Sequence, residues 1–88
     1  MVKVPYSDKN DVRIFEASVD PLELKWHYDE QDRTVTALNN SSWKVQYDNE
    51  LPVQLMQDVP IFIKAGNYHR LIKGEGSLRV KIVKHEAK

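Results

Sequence analysis

Between Gln57 and Val83 the chain reads Q-D-V-P-I-F-I-K-A-G-N-Y-H-R-L-I-K-G-E-G-S-L-R-V-K-I-V, and this stretch restricts the fold most. Short runs rich in β-branched and aromatic residues are separated by A-G-N and K-G-E-G-S, both of turn composition. In the last run Leu78, Val80 and Ile82 alternate with Arg79 and Lys81, the period of a strand with one buried face. The stretch predicts strand, tight turn, strand, hairpin turn, strand, with His69 just after the first turn. K-G-E-G is not a phosphate loop, because no helix follows it to supply an N-terminal dipole.

The rest of the chain fits the same pattern. Residues 1–11 are polar and carry Pro5 and the turn cluster S-D-K-N, as in a lead-in or an edge segment. Arg13 to Ala17 predicts a short strand. After Asp20–Pro21, Leu22, Leu24, Trp26 and Tyr28 share one phase and Glu23, Lys25 and His27 the other, which predicts a half-buried strand. The charged run Asp29–Arg33 interrupts it. T-V-T-A-L and W-K-V-Q-Y-D are expected to pair as a hairpin through Asn39–Ser42, with Trp43, Val45 and Tyr47 on one face. L-P-V-Q-L-M follows, and its Pro52 suits an edge or a strand start. No segment holds a helical period. The expectation is one all-β domain over residues 1–88, of about seven or eight short antiparallel strands, with residues 1–11 and 84–88 as loose termini.

Composition narrows the classes of function. Eighty-eight residues without cysteine must rely on one apolar core, with strand closure or edge pairing in a homodimer to protect open edges. Thirteen basic residues balance thirteen acidic ones, which argues against a nucleic-acid or membrane footprint. No apolar leader or spanning segment stands out, so a cytoplasmic protein with a small-molecule or protein partner is expected. No Ser-His-Asp or Cys-His nucleophile pattern is present. Asp29, Glu30 and Asp32 read as a solvated turn pinned by Arg33, and Trp26 and Trp43 read as core rather than as a sugar platform.

Asp58 to Val83 resembles the second motif of cupins, in which an Asp precedes a hydrophobic strand, a Gly turn, a His and a closing hairpin. Asp58, Gly66 and His69 fall at the motif's Asp, Gly and His, while Gln57 replaces a usual Gly and Lys64 a usual Pro. The first cupin motif, His-x-His followed by Glu, corresponds to His27-Tyr28-Asp29, with Arg33 near the Glu position and Val35–Leu38 as the hydrophobic run. The motif's Gly is replaced by the Asn39–Ser42 turn. The resemblance spans about residues 22–83 and implies a small cupin-like jelly roll, the double-stranded β-helix.

Its implications for chemistry divide. Metal-binding cupins draw ligands from both motifs, and His27, Asp29 and His69 give the order of a 2-His-1-carboxylate site for a divalent metal such as iron, manganese or zinc. Jelly-roll 2-oxoglutarate-dependent oxygenases share that order and place a basic residue about ten positions after the last His, where Arg79 stands here. Strand alternation opposes the site, since an inward Trp26 and Tyr28 would turn His27 and Asp29 outward. Because one His and the Glu of the cupin ligand set are missing and the chain is short, the leading expectation is a non-catalytic small-molecule or protein-interaction module. Its barrel mouth would be lined by His27, Trp43, Tyr47 and His69, with no certain cofactor. The alternative is a divalent-metal-dependent enzyme of isomerase or dioxygenase type with His27, Asp29 and His69 as ligands.

Overall fold

A computed structural model describes residues 5–21 and 24–85. Within them lie eight strands: β1 (Ser7–Lys9), β2 (Val12–Phe15), β3 (Asp32–Ala37), β4 (Lys44–Tyr47), β5 (Val53–Gln54), β6 (Pro60–Ile63), β7 (His69–Ile72) and β8 (Leu78–His85). They form a five-stranded sheet in the order β1-β2-β8-β3-β6 and a three-stranded sheet in the order β5-β4-β7. Every strand pair within the sheets is antiparallel. Among the described residues no helix is long and apolar enough to cross a membrane.

The alternation read from the sequence sets which side chains enter the space between the sheets. On β8, Leu78 and Val80 are buried and Arg79 and Lys81 exposed; on β4, Val45 is buried and Lys44 exposed. Phe15, Trp43, Val45, Leu55, Leu78 and Val80 form the centre of the core. The rings of Tyr6, Phe15 and Trp43 follow one another at centroid distances of 5.6 and 5.7 Å, in the tilted geometry that aromatic quadrupoles favour. Trp43 is fully buried, and its indole Nε1–H donates to the Gly76 carbonyl at 3.1 Å, so its one polar group is satisfied.

Four expectations are corrected. T-V-T-A-L and W-K-V-Q-Y-D do not pair. β3 lies between β8 and β6, and β4 lies between β5 and β7 in the other sheet. The Asn39–Ser42 segment is a crossover, anchored where Asn39 Oδ1 accepts from Arg79 N–H at 2.8 Å and Asn39 Nδ2 donates to the Ser77 carbonyl at 3.1 Å. The Gly-bounded turns of the second half are also crossovers rather than hairpins, because β6 and β8 belong to one sheet and β7 to the other. The strand expected over 22–28 is not formed in residues 24–28, which hold only an isolated bridge at His27; Trp26 and Tyr28 are exposed, and Leu22 and Glu23 lie outside the described residues. Nor are the ends loose throughout. β1 pairs with β2 across the Asn10–Asp11 turn, and β8 runs to His85, opposite Asp32.

The β7–β8 crossover presses on the start of β4. A Cβ added at Gly74 would lie 2.5 Å from the backbone carbon of Ser42 and 2.5 Å from the backbone nitrogen of Trp43, neither of which can swing aside. Glu75 N–H donates to Ser42 Oγ at 2.9 Å beside it. Gly74→Ala is expected to lower stability by about 2–3 kcal/mol through overpacking. Urea unfolding checks this, and an unchanged midpoint would contradict the close approach.

Candidate metal centre

The site forms where the irregular segment before β3 meets the start of β7. His27 and His69 exchange both backbone hydrogen bonds, His27 N–H to the His69 carbonyl at 3.0 Å and His69 N–H to the His27 carbonyl at 2.8 Å. This single antiparallel bridge sets the two rings side by side, with centroids 4.4 Å apart. Two residues on, Asp29 shares the face of His27. Its carbonyl accepts from Gly66 N–H at 2.9 Å, and Asp32 Oδ1 accepts from Ala65 N–H at 2.8 Å. The acidic run is therefore stitched to the turn that precedes β7, and the Asp29 side chain is only 10 % exposed.

Both imidazoles are oriented by backbone carbonyls two residues earlier. His27 Nδ1 lies 2.9 Å from the Lys25 carbonyl and His69 Nδ1 lies 2.9 Å from the Asn67 carbonyl. A carbonyl only accepts, so Nδ1 carries the hydrogen in each ring and the neutral ring has its lone pair on Nε2. Both Nε2 atoms face Asp29, at 4.0 Å from Oδ1 for His27 and 3.4 Å from Oδ2 for His69. One ligand atom from each of the three residues lies within 4.8 Å of the others. With both rings in this neutral form the three groups are all acceptors, which a cation between them would bring together. Ligands at about 2.0–2.2 Å from a divalent ion stand roughly 3–4 Å apart, so small side-chain shifts complete the set. The carbonyl bonds to Nδ1 are the outer partners that fix tautomer and ring angle in metal-binding histidines.

Burial lowers the His69 pKa below its ordinary value, aided by His27 and Arg33; the Asn67 carbonyl and Asp29 act in the opposite direction without reversing it. The ring is therefore held neutral, as a ligand must be. Arg33, on β3, places Nη2 3.6 Å from Asp29 Oδ1. His27, Asp29, Arg33 and His69 all line one cavity of about 330 Å³ between the sheets, whose other walls include Phe15, Val35, Leu55 and Leu71.

Of the residues singled out from sequence, His27, Asp29 and His69 converge. Residues 25–29 do alternate, but in the phase opposite to the expected one: Lys25, His27 and Asp29 line the cavity while Trp26 and Tyr28 are exposed. Tyr47 sits opposite His69 in the β4–β7 ladder, with its hydroxyl donating to the Phe62 carbonyl at 3.2 Å, and it does not line the cavity. Trp43 lies in the core with no exposed surface, so it does not form a mouth. Trp26, read as core, is on the surface beneath the Arg70 guanidinium, 4.8 Å from its ring. Arg79 is exposed on β8 and absent from the cavity wall, as strand alternation requires. Asp58 is exposed in a turn at φ 63° and takes no part in the site. The residue that sequence reasoning undervalued is Arg33. Its only signal was its place near the motif's Glu and in phase with Val35 and Ala37.

The His69 shift has a consequence for the metal-free protein. The unfolded chain takes up the His69 proton near pH 6.5 and the folded chain only at lower pH, so the unfolded state holds more protons as pH falls. The stability contributed by neutral His69 is thus present above about pH 6.5 and lost as pH falls through the folded value. Urea midpoints measured after chelation at pH 7.5 and 5.5 should fall more steeply for the wild type than for His69→Gln. Equal slopes would contradict the buried, neutral ring.

No family model and no curated protein matches the sequence. Solved structures do match the fold. A chain from the crystal structures of the DMSP lyases RdDddP and RnDddQII has a TM-score of 0.72 at 13% identity over 86% of this chain and 37% of that one. The iron(II) form of HppE has a TM-score of 0.65 at 14% identity, covering 84% of this chain and 40% of its own. A proposed mannose-6-phosphate isomerase from Ralstonia eutropha JMP134 has a TM-score of 0.63 at 14% identity, covering 96% and 82%. This chain spans about two-fifths of the first two. With two antiparallel sheets, sheet-to-sheet crossovers and both motif histidines on one cavity wall, the chain has the cupin-like jelly-roll fold.

Proposed function

We propose that this chain is a divalent-metal-dependent enzyme of cupin type, acting on a small molecule held between the sheets, with His27, Asp29 and His69 as the metal ligands. The observation that carries the reading is the convergence of two carbonyl-oriented Nε2 atoms on one carboxylate. Part of the case for the non-catalytic module was an outward His27 and Asp29, and the inward geometry of the segment speaks against that part. Iron in the HppE structure, on a similar fold, agrees with the metal reading. A two-His, one-carboxylate set suits iron(II), manganese(II) or zinc(II), and the bound ion would supply Lewis-acid chemistry of the isomerase type or, as iron, dioxygenase chemistry.

The chain's own residues divide the remaining work. His69 is buried and locked by three backbone contacts, so it is the rigid member of the set. His27, with a side chain 54% exposed, stands on the rim. The apolar walls keep water from the substrate side and strengthen the electrostatics of the few polar groups.

Titration of chelated protein with zinc(II) or manganese(II), and with iron(II) under anaerobic conditions, followed by amide NMR, tests the reading. One equivalent of metal should perturb resonances around His27, Asp29 and His69. His69→Ala and Asp29→Ala should each weaken binding by more than the roughly 10–100-fold that loss of an outer-shell partner costs. Absence of binding, or a response confined to His85, would remove the centre.

A further inference from the structure

The cavity wall carries two arginines, and the protein neutralises them unequally. Arg13 donates from Nε and Nη2 to the two carboxylate oxygens of Asp8, at 2.7 and 3.0 Å, and its guanidinium lies 3.7 Å from the centroid of the Tyr6 ring. That pair is complete, and the Asp8 pKa is lowered chiefly by the Arg13 hydrogen bond. Arg33 differs. Its side chain is 18% exposed, its ion pair with Asp29 spans 3.6 Å, and its buried Nε has no hydrogen-bond partner among the described residues. A guanidinium left with one long contact is unusual, because buried N–H groups are nearly always paired.

Metal binding sharpens the imbalance. The ion and Arg33 would share a single carboxylate, that of Asp29, while Lys25 adds a further positive charge to the same cavity. The remaining walls are aliphatic and aromatic, so an excess of positive charge there is poorly solvated. An anionic ligand restores the balance, and the planar fork of a guanidinium matches a carboxylate. A small carboxylate leaves most of the roughly 330 Å³ for an apolar body, which the aliphatic and aromatic walls suit.

We propose that Arg33 is the substrate-anchoring residue, binding the carboxylate of a small substrate whose remaining body is apolar and packs on Phe15, Val35, Leu55 and Leu71. The inference rests on the metal-centre reading and adds the substrate class. Arg33 then holds a ligand beside the three metal-binding side chains without itself coordinating the ion.

The test uses the full chain loaded with cobalt(II), whose visible absorption reports ligands near the metal, with isovalerate as probe and isoamyl alcohol as its uncharged counterpart. Isovalerate should perturb the spectrum saturably, and isoamyl alcohol should bind at least about tenfold more weakly, as expected when a charge-assisted hydrogen bond is lost. Arg33→Gln should weaken isovalerate by about tenfold or more, and Arg33→Lys by less. Cobalt affinity should stay equal or rise in Arg33→Gln, because a cation competing for Asp29 has gone. Equal isovalerate affinity in wild type and Arg33→Gln overturns the assignment of Arg33 and leaves the metal centre standing. Equal binding of the acid and the alcohol by the wild type overturns it without need of a variant. A wild-type chain that takes up no cobalt overturns the metal centre and this inference together.

Discussion

Two backbone hydrogen bonds between His27 and His69, at 3.0 and 2.8 Å, hold the centre of this protein together. They are isolated from any longer ladder. The segment from Leu24 to Glu30 belongs to no strand, and this bridge, with the bond from Gly66 N–H to the Asp29 carbonyl, ties its backbone to the start of β7. Where a ladder is absent, no neighbouring strand fixes the phase of alternation. Leu24 packs against the core, yet three residues later His27 faces the same cavity, a spacing that period two forbids. The phase taken by His27 and Asp29 is what brings a histidine and a carboxylate onto the wall of a sheet-to-sheet space lined mainly by apolar side chains.

The crossovers explain how so short a chain encloses a cavity. The connections β3–β4, β5–β6, β6–β7 and β7–β8 each pass from one sheet to the other. The strands these connections join therefore lie in opposite sheets instead of side by side. Each turn must then be held by something other than a hairpin ladder. Asn39 bonded to the backbone of Arg79 and Ser77, Ser42 receiving Glu75 N–H, and Trp43 Nε1 on the Gly76 carbonyl do this at one end of the sandwich. At the other end Asp29 and Asp32 bind the Ala65–Gly66 turn. The acidic run that reads as a solvated loop is in fact part of this second set of staples.

Charge placement follows from the same architecture. Arg13 and Arg33 occupy inward positions on β2 and β3, in phase with Phe15 and with Val35. An inward arginine needs a counter-charge, and the two solutions differ: Asp8 and the Tyr6 face complete the first, while the second leans on a carboxylate that a metal would also claim. The polarity of the cavity is therefore concentrated at one wall, where His27, Asp29, Arg33 and His69 meet.

Much of this was legible in the residues themselves. Alternation at Leu78–Ile82 and Trp43–Tyr47, turn residues at regular spacing and the absence of any helical period determined an all-β chain, and they identified most inward positions of β4 and β8. The motif order His27, Asp29, His69 was also visible. Strand pairing was not, because period two reports which face a side chain takes and not which strand lies beside it. Nor was the inward turn of His27 and Asp29, since the apolar residues of this segment suggest the opposite phase and only the long-range bonds to His69 and Gly66 set it. Only the tertiary structure brings residues 27 and 69 into register, and with them the carboxylate and the arginine that complete the site. Those contacts link parts of the chain some forty residues apart, and no local pattern carries their energy.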